Sequence, residues 1–451
     1  MAQAHLLNDF GGSTDLAPPL TARGGITAVP HVVAWNLTQR CNLACSHCYI
    51  SAGPWQPRDG EITLEEFKRI ADEVLELSPG AMFVLTGGEP LVRKDLEDIA
   101  RYSVQRGATA VVGTNGVGLT QERIASLQEA GVTGVAVSID SLDAETHNQF
   151  RHGQAALEGT LAAIDRLREA GLDFIVQTTA TRENQHELQS LVAFSAEKGA
   201  VSFNLYFLVE TGRGEDLDPL SPAEHDALLA QLADLQKEYR GRMLIRSKCQ
   251  PQIMRHIHEK DPDSPLLQYG TRCPCGVQYC RITPDAKLTP CPYLPAVAGD
   301  LRQQSFREIW EGSELLAALR QGELGGKCGD CEYQVVCGGC RARGFAQSGG
   351  DPLAADASCA YEPTGDLPLV TLGSGPHYGS AAEATLSWSP EAEARMKRIP
   401  SFVRSVVMGR VEDYARKKGC QEITPALLDE VRGGLPIDFS KKAPFFLRRD
   451  D

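Results

Sequence analysis

The sequence predicts an α/β protein. Six short apolar strands alternate with helices, and a cysteine-rich unit and a helical tail follow. Three observations carry this. First, β-type runs recur at 32–37, 81–85, 109–113, 132–139, 172–180 and 201–209, with helical stretches near 62–78, 93–107, 120–130, 154–170 and 184–198 between them. Such alternation calls for parallel strands joined by right-handed crossovers. Second, the strands are almost continuously apolar, as expected where both faces of a sheet are covered. Third, nine cysteines crowd between Cys273 and Cys359, where the alternation has stopped. The pattern fits a curved partial barrel or an open doubly wound sheet, and both place ligands at the C-terminal ends of the strands.

Taken in order, residues 1–30 are rich in Gly, Pro and Thr, lack periodicity and read as a loose arm. The strand–helix unit spans 31–240. Thr63-Leu64-Glu65-Glu66 is a capping box for its first helix, and Ser221-Pro222-Ala223-Glu224 opens a sixth near 222–240. The cysteine-rich unit spans 241–360, with a hairpin over Arg281–Pro290 turning at Pro284-Asp285-Ala286 and a helix near 305–320. Residues 361–387 form a Gly/Pro/Ser-rich linker. The module at 388–451 is helical to about 435: Ser389-Pro390 and Thr424-Pro425 are N-cap/N1 pairs. There Ile399, Phe402, Val403, Val406, Val407 and Tyr414 keep one helical face apolar.

Composition excludes several classes. The chain has 451 residues, 42% hydrophobic and 23% charged, which is ordinary for a globular protein. No apolar run approaches the ~18 residues of a membrane helix, and the first residues show no secretory signal, so a cytoplasmic location without membrane partners is expected. The net charge of −14, from 45 basic and 59 acidic residues, argues against nucleic acid as a partner. Fourteen cysteines in tight clusters point to metal rather than disulfides.

Cys41, Cys45 and Cys48 are spaced C-x3-C-x2-C in the loop leaving the first strand. Three thiolates there can hold three corners of a four-iron, four-sulfur cluster, leaving one iron open. A structural zinc site would need a fourth ligand, for which His47 is the candidate. At the end of the second strand, Gly87 and Gly88 would let backbone approach a ligand, and the Glu89 carboxylate can accept from an ammonium group. Ser138 and Asp140 share one side of the fourth strand, where they either bind a ligand or cap the next helix. Gln177, Thr179 and Arg151 are weaker candidates.

The cysteine loop after the first strand, with Gly87-Gly88-Glu89-Pro90 one strand later, resembles the radical S-adenosylmethionine (SAM) enzymes over residues 32–210. The resemblance implies a partial (β/α)6, TIM-like barrel. It also implies an open iron that binds SAM, and reductive cleavage of SAM to a 5′-deoxyadenosyl radical that abstracts a substrate hydrogen. By the same resemblance Tyr49 lies near the adenine, the Gly87–Glu89 segment binds the SAM amino group, and Ser138 and Asp140 serve its ribose or carboxylate. The sixth strand ends in Val209-Glu210-Thr211-Gly212-Arg213-Gly214, a loose match to the family's adenine-contact motif that singles out no residue.

Further on, Cys328, Cys331, Cys337 and Cys340 give C-x2-C-x5-C-x2-C, followed by Cys359 and preceded by Cys273, Cys275, Cys280 and Cys291. The two C-x2-C pairs could form a zinc knuckle. The whole set resembles the SPASM extension of radical SAM maturases, with one or two auxiliary iron–sulfur clusters. That resemblance assigns Cys328, Cys331, Cys337 and Cys359 to one cluster. It assigns Cys275, Cys291 and Cys340 to another, with Cys273 or Cys280 completing it. Two departures blur this: the last pair is x2 rather than x3, and Ala286 stands where the family has Gly. Cys249 and Cys420 read as ordinary buried thiols, and His256 and His258 as solvated or capping residues.

The opening strand with its cysteine loop and the Gly338–Gly344 segment resemble the NirJ and Ahb group of haem biosynthesis. The tail resembles a module of light-independent protochlorophyllide reductase. Both imply a small-molecule tetrapyrrole substrate, with reduced ferredoxin or flavodoxin as electron donor. The alternatives are a peptide maturase, for which 30 residues before Val32 leave little room for a leader-binding domain, a non-catalytic iron–sulfur or zinc scaffold, and, for the tail, a docking domain.

Overall fold

A computed structural model describes residues 20–433 other than 24–25, 263, 265, 268–272, 372–376, 378, 381–383, 398 and 400. Most of the N-terminal arm, the end of the tail and the Phe402 side chain lie outside the described residues. The described part of the arm is ordered: β1 (Thr21–Ala22) and β2 (Ile26–Thr27) pair as a small antiparallel ladder, and Ala22 and Ala28 pack on Val277.

The expected alternation then appears in full. Six parallel strands, β3 (Val32–Asn36), β4 (Met82–Thr86), β5 (Thr109–Thr114), β6 (Gly134–Ser138), β7 (Phe174–Ala180) and β8 (Ser202–Phe207), pair in sequence order. Between and after them run α1 (Leu64–Leu77), α2 (Leu96–Gln105), α3 (Gln121–Glu129), α4 (Ala144–Arg151), α5 (Ala156–Glu169), α6 (Leu188–Lys198) and α7 (Pro222–Glu238). Both predicted capping boxes form, at Thr63/Glu66 and Ser221/Glu224. The helix-side core is dense: the Trp35 ring lies 4.4 Å from Phe67 and 5.5 Å from Phe83, all fully buried. Truncating such a side chain costs about 3–5 kcal/mol. The other face of the same strands carries polar residues, among them Asn36, Ser138, Gln177 and Asn204.

The sheet runs past residue 240. β9 (Leu244–Lys248) pairs parallel with β8, and α8 (Ile253–Lys260) follows. Its charged residues, Arg246 and Lys248, hide its strand character from a reading by apolar runs. At the opposite edge β10 (Tyr279–Ile282) pairs parallel with β3, continuing antiparallel into β11 (Lys287–Thr289) and β12 (Gly299–Asp300). The turn between β10 and β11 holds Ala286 at φ 65, the left-handed region that a glycine would occupy without strain. The helix expected over 305–320 is two, α9 (Phe306–Gly312) and α10 (Glu314–Gln321), because Ser313 is extended between them. Short helices α11 (Gly326–Gly329) and α12 (Arg341–Gln347) frame the last cysteines.

The tail packs around a core of its own, which includes Trp388, Met396, Val403, Val411 and Ile423. It comprises β13 (Ser387–Trp388), α13 (Pro390–Lys397), α14 (Ser401–Lys418), β14 (Glu422–Ile423) and α15 (Pro425–Gly433), with the two short strands paired parallel. It sits at the N-terminal ends of the barrel strands. His31, just before β3, bonds Ser401 Oγ through Nδ1 at 2.8 Å and the Gly379 carbonyl through Nε2 at 3.2 Å; the Ser401 N–H donates to Gly80 O, just before β4, at 3.2 Å.

Candidate active site and iron–sulfur centres

The Cys41–Cys48 loop leaves the C-terminal end of β3, and its three thiols face one another. Each sulfur has an N–H donor: Leu43 N at 3.4 Å and Asn115 Nδ2 at 3.8 Å from Cys41 Sγ, Arg151 Nη1 at 3.7 Å from Cys45 Sγ, and Ala52 N at 3.2 Å from Cys48 Sγ. Burial pushes the Cys41 thiol up to about 12. Donors aimed at buried sulfurs suit thiolates bound to iron. His47 does not join them; its ring stacks on Phe150 at 4.6 Å, and burial holds it near 4, neutral at pH 7.

The Gly87–Glu89 segment is built against this loop. A side chain at Gly87 (φ 141) would meet Thr38 O at 2.5 Å, and one at Gly88 would meet Arg40 O at 2.3 Å. The Gly88 and Glu89 N–H groups donate to those same two carbonyls at 2.7 and 3.0 Å. The two glycines therefore allow the second strand's end to lie directly on the first strand's loop. Glu89 is enclosed, 1% exposed, and its carboxylate accepts from Thr114 Oγ1 (2.7 Å), Asn115 N (2.9 Å) and Leu91 N (3.1 Å). Burial pushes it up to about 7 against these donors. Asn115 in turn reaches Asn42 Oδ1 at 2.8 Å.

Asp140 has a different setting from the one its spacing suggested. It lies beyond the end of β6, and its carboxylate is engaged by Arg151 Nε at 2.6 Å and Thr179 N at 2.9 Å. Burial opposes ionisation, and Arg151 with His47 and His147 outweighs it, holding Asp140 below the usual carboxylate range. Ser138 ends β6 opposite Gln177 in register. Tyr49 is half-buried; its hydroxyl accepts from Asn36 Nδ2 at 2.8 Å and its ring lies 5.0 Å from Tyr293. From the end of β8, Gly212 packs on the Cys48–Tyr49 backbone and Arg213 Nε donates to Cys45 O at 2.8 Å. Sequence reasoning singled out neither, although the loose glycine motif marked the place.

The later cysteines divide into two groups. Cys328, Cys331, Cys337 and Cys359 line one small cavity. Cys273 lies beside Cys275 and Cys340, and Cys275 beside Cys291. Gly338 and Gly339, at φ 65 and 68, reverse the backbone between Cys337 and Cys340, so these two thiols go to different groups and the two C-x2-C pairs do not converge as a knuckle. Among the described residues no three His, Cys, Asp or Glu side chains are placed to hold a single metal ion. Cys280 stands apart: flanked on β10 by Tyr279 and Arg281, it points by strand alternation to the opposite face, fully buried beside Arg320. Its inclusion among the ligands is corrected accordingly. Asp356 bridges the two groups, accepting from Cys340 N (2.9 Å), Arg343 Nη1 (3.0 Å) and Gln252 Nε2 (2.8 Å).

An α/β sheet of mainly parallel strands with a three-thiol loop at their C-terminal ends, and two further thiol groups, defines an iron–sulfur enzyme. Residues 35–194 match the family described as the radical SAM superfamily, 273–332 the iron-sulfur cluster-binding domain called SPASM, and 388–432 the proto-chlorophyllide reductase 57 kD subunit. The AdoMet-dependent heme synthase of Methanosarcina barkeri is 40% identical over 348 residues, covering 75% of this chain and 98% of that protein. The pre-heme d1 synthase of Dinoroseobacter shibae is 32% identical over 76% of this chain and 88% of its own. Streptococcus suis SuiB bound to S-adenosylmethionine shares the fold at a TM-score of 0.61 and 14% identity, over 75% and 79% of the two chains. The chain belongs to the radical SAM enzymes that carry a SPASM domain, and its cofactors are SAM, a SAM-binding four-iron cluster and auxiliary iron–sulfur clusters. No helix among the described residues is long and apolar enough to cross a membrane.

Proposed function

We propose that this enzyme modifies a side chain of a haem-type tetrapyrrole. The observation that carries the reading is the 40% identity to an AdoMet-dependent heme synthase across nearly all of that protein. The barrel face fits it: Tyr49, Tyr206 and Tyr293 form a chain of rings 5.0 and 6.3 Å apart, a surface suited to a flat aromatic ligand.

Cys41, Cys45 and Cys48 are the ligands of the SAM-binding cluster in this reading. When bound, cluster and SAM together supply a radical able to remove a hydrogen atom from the substrate. The chain's own residues prepare the place. Gly87 and Gly88 bring the second strand's end onto the cysteine loop, and in this reading the segment binds the SAM amino group. Glu89 fixes Thr114 and Asn115, and Asn115 reaches Cys41. Arg151, neutralised by Asp140, donates to Cys45. Tyr49 walls the adenine side. Cys328, Cys331, Cys337 and Cys359 hold one auxiliary cluster; Cys273, Cys275, Cys291 and Cys340 surround the other. Reduced ferredoxin or flavodoxin supplies the electron.

The test is anaerobic reconstitution of the full chain with SAM, reductant and a panel of iron porphyrins bearing two or four propionates. Mass loss from a propionate-bearing porphyrin, in step with 5′-deoxyadenosine release, is expected. SAM cleavage that no porphyrin accelerates, with activity instead on a peptide, would overturn the reading in favour of a maturase.

A further inference from the structure

A fifth thiol lies near the four of the group where the barrel joins the cysteine-rich unit. Cys273, Cys275, Cys291 and Cys340 are four. The fifth is Cys249, one residue beyond β9, whose thiol faces Cys291, Cys273 and Cys340. It is also near the barrel tyrosines Tyr206, Tyr279 and Tyr293. Cys249 is therefore close both to the barrel tyrosines and to the thiol group, and is the member of the five that follows the barrel strand β9.

Its backbone is held in place. Cys249 has φ 58, a left-handed conformation costly for a residue with a side chain. The conformation is fixed from outside: Arg343 Nη2 donates to Cys249 O at 3.0 Å and to Leu208 O at 3.2 Å, while its Nη1 donates to Gln250 Oε1 at 2.7 Å and Asp356 Oδ2 at 3.0 Å. Arg343 is fully buried, and Asp356 also anchors the Cys340 N–H. One buried ion pair thus holds the backbone at two cysteines, Cys249 and Cys340.

We propose that Cys249 is a ligand-competent thiol of the junction auxiliary cluster, able to hold the corner that Cys273 otherwise takes. Cys273 comes from the cysteine-rich unit and Cys249 from the barrel strand, so the choice between them decides whether that corner is tied to the reaction chamber. The inference rests on assigning Cys275, Cys291 and Cys340 to one cluster.

The test uses full-length, reconstituted protein, with iron content and the electron paramagnetic resonance of the reduced auxiliary clusters as readouts. Cys275→Ala is the reference; if it keeps all its iron and its spectrum, the cluster assignment itself falls, and this inference with it. Given that reference, Cys273→Ala is expected to retain the junction cluster, and Cys249→Ala/Cys273→Ala to lose about four irons with its signal. The inference is overturned if Cys273→Ala alone loses the cluster, since Cys249 then cannot hold the corner. It is equally overturned if the double variant keeps the iron and spectrum of Cys273→Ala.

Discussion

Arg151 joins Asp140 to Cys45: its Nε lies 2.6 Å from Asp140 Oδ2 and its Nη1 3.7 Å from Cys45 Sγ, with both charged side chains buried. The carboxylate keeps the guanidinium compensated in an enclosed site, and the guanidinium keeps a donor on the sulfur. Removing one partner of a buried pair leaves the other uncompensated. Arg151→Met should therefore destabilise the fold by roughly 3–5 kcal/mol in denaturant melts, with Arg151→Met/Asp140→Asn recovering much of the loss. Both variants should also move the SAM-binding cluster to a more negative potential in a redox titration, because a donor to its ligand sulfur has gone.

Glu89→Gln keeps the shape of the side chain but presents an amide N–H₂ where the carboxylate had an acceptor. Either the Asn115 N–H or the Leu91 N–H then loses its acceptor, whereas the Thr114 hydroxyl can turn to accept from the amide. The hydrogen bond to a charged acceptor is worth roughly 1.5–3 kcal/mol. SAM affinity, measured by equilibrium binding to the reconstituted protein, should fall at least tenfold while iron content stays at the wild-type level. Wild-type affinity would show that the Glu89–Asn115 link has no bearing on SAM.

Alanine at Cys41, Cys45 or Cys48 should abolish 5′-deoxyadenosine formation while the iron of the auxiliary centres remains. The later clustered cysteines lie in their own two groups, Cys280 is buried beside Arg320, and Cys420 packs in the tail. Iron assays and product chromatography on each variant check this, and cleavage at the wild-type rate in any of them would exclude that thiol as a ligand.

His31 governs the docking of the tail. Burial holds its imidazole near 4, below the ordinary 6.5, so the folded form resists the proton that the undocked form takes up. A lowered basic pKa stabilises docking above about 6.5 and loses that contribution as the pH falls towards 4, by about 3 kcal/mol at most. Limited proteolysis should cut the 361–387 segment faster at pH 5 than at pH 7.5, and His31→Gln should flatten that dependence.

A chain ending at residue 380 removes the tail but none of the clustered cysteines. It should keep all its iron and its uncoupled SAM cleavage, and lose substrate turnover or partner capture. Full turnover by a soluble truncated chain would show that the tail has no part in either.

Much of this was legible from periodicity and spacing, because apolar runs and tight cysteine motifs are local. The six strands β3–β8 and the cap residues Thr63 and Ser221 stand where pattern placed them. What escaped was carried by contacts distant in sequence. β9 reads as polar because Arg246 and Lys248 face the chamber, and only its pairing with β8 makes it a strand. The spacing of Ser138 and Asp140 gave no sign that Arg151, on α4, would occupy the carboxylate. Cys273 and Cys280 look equivalent on paper; strand alternation in β10 separates them. The parting of Cys337 from Cys340 depends on two left-handed glycines whose backbone angles no spacing rule records.

The described part of the tail sits beneath the strands, with His31 and Gly80 as its footing, at the end of the barrel opposite the cysteine loop. A molecule tethered to a solid support through α14 or α15 would present its cysteine loop to the bulk. Films of oriented enzyme on an electrode, wired from above by a soluble mediator, are thus within reach without altering any residue near the chemistry.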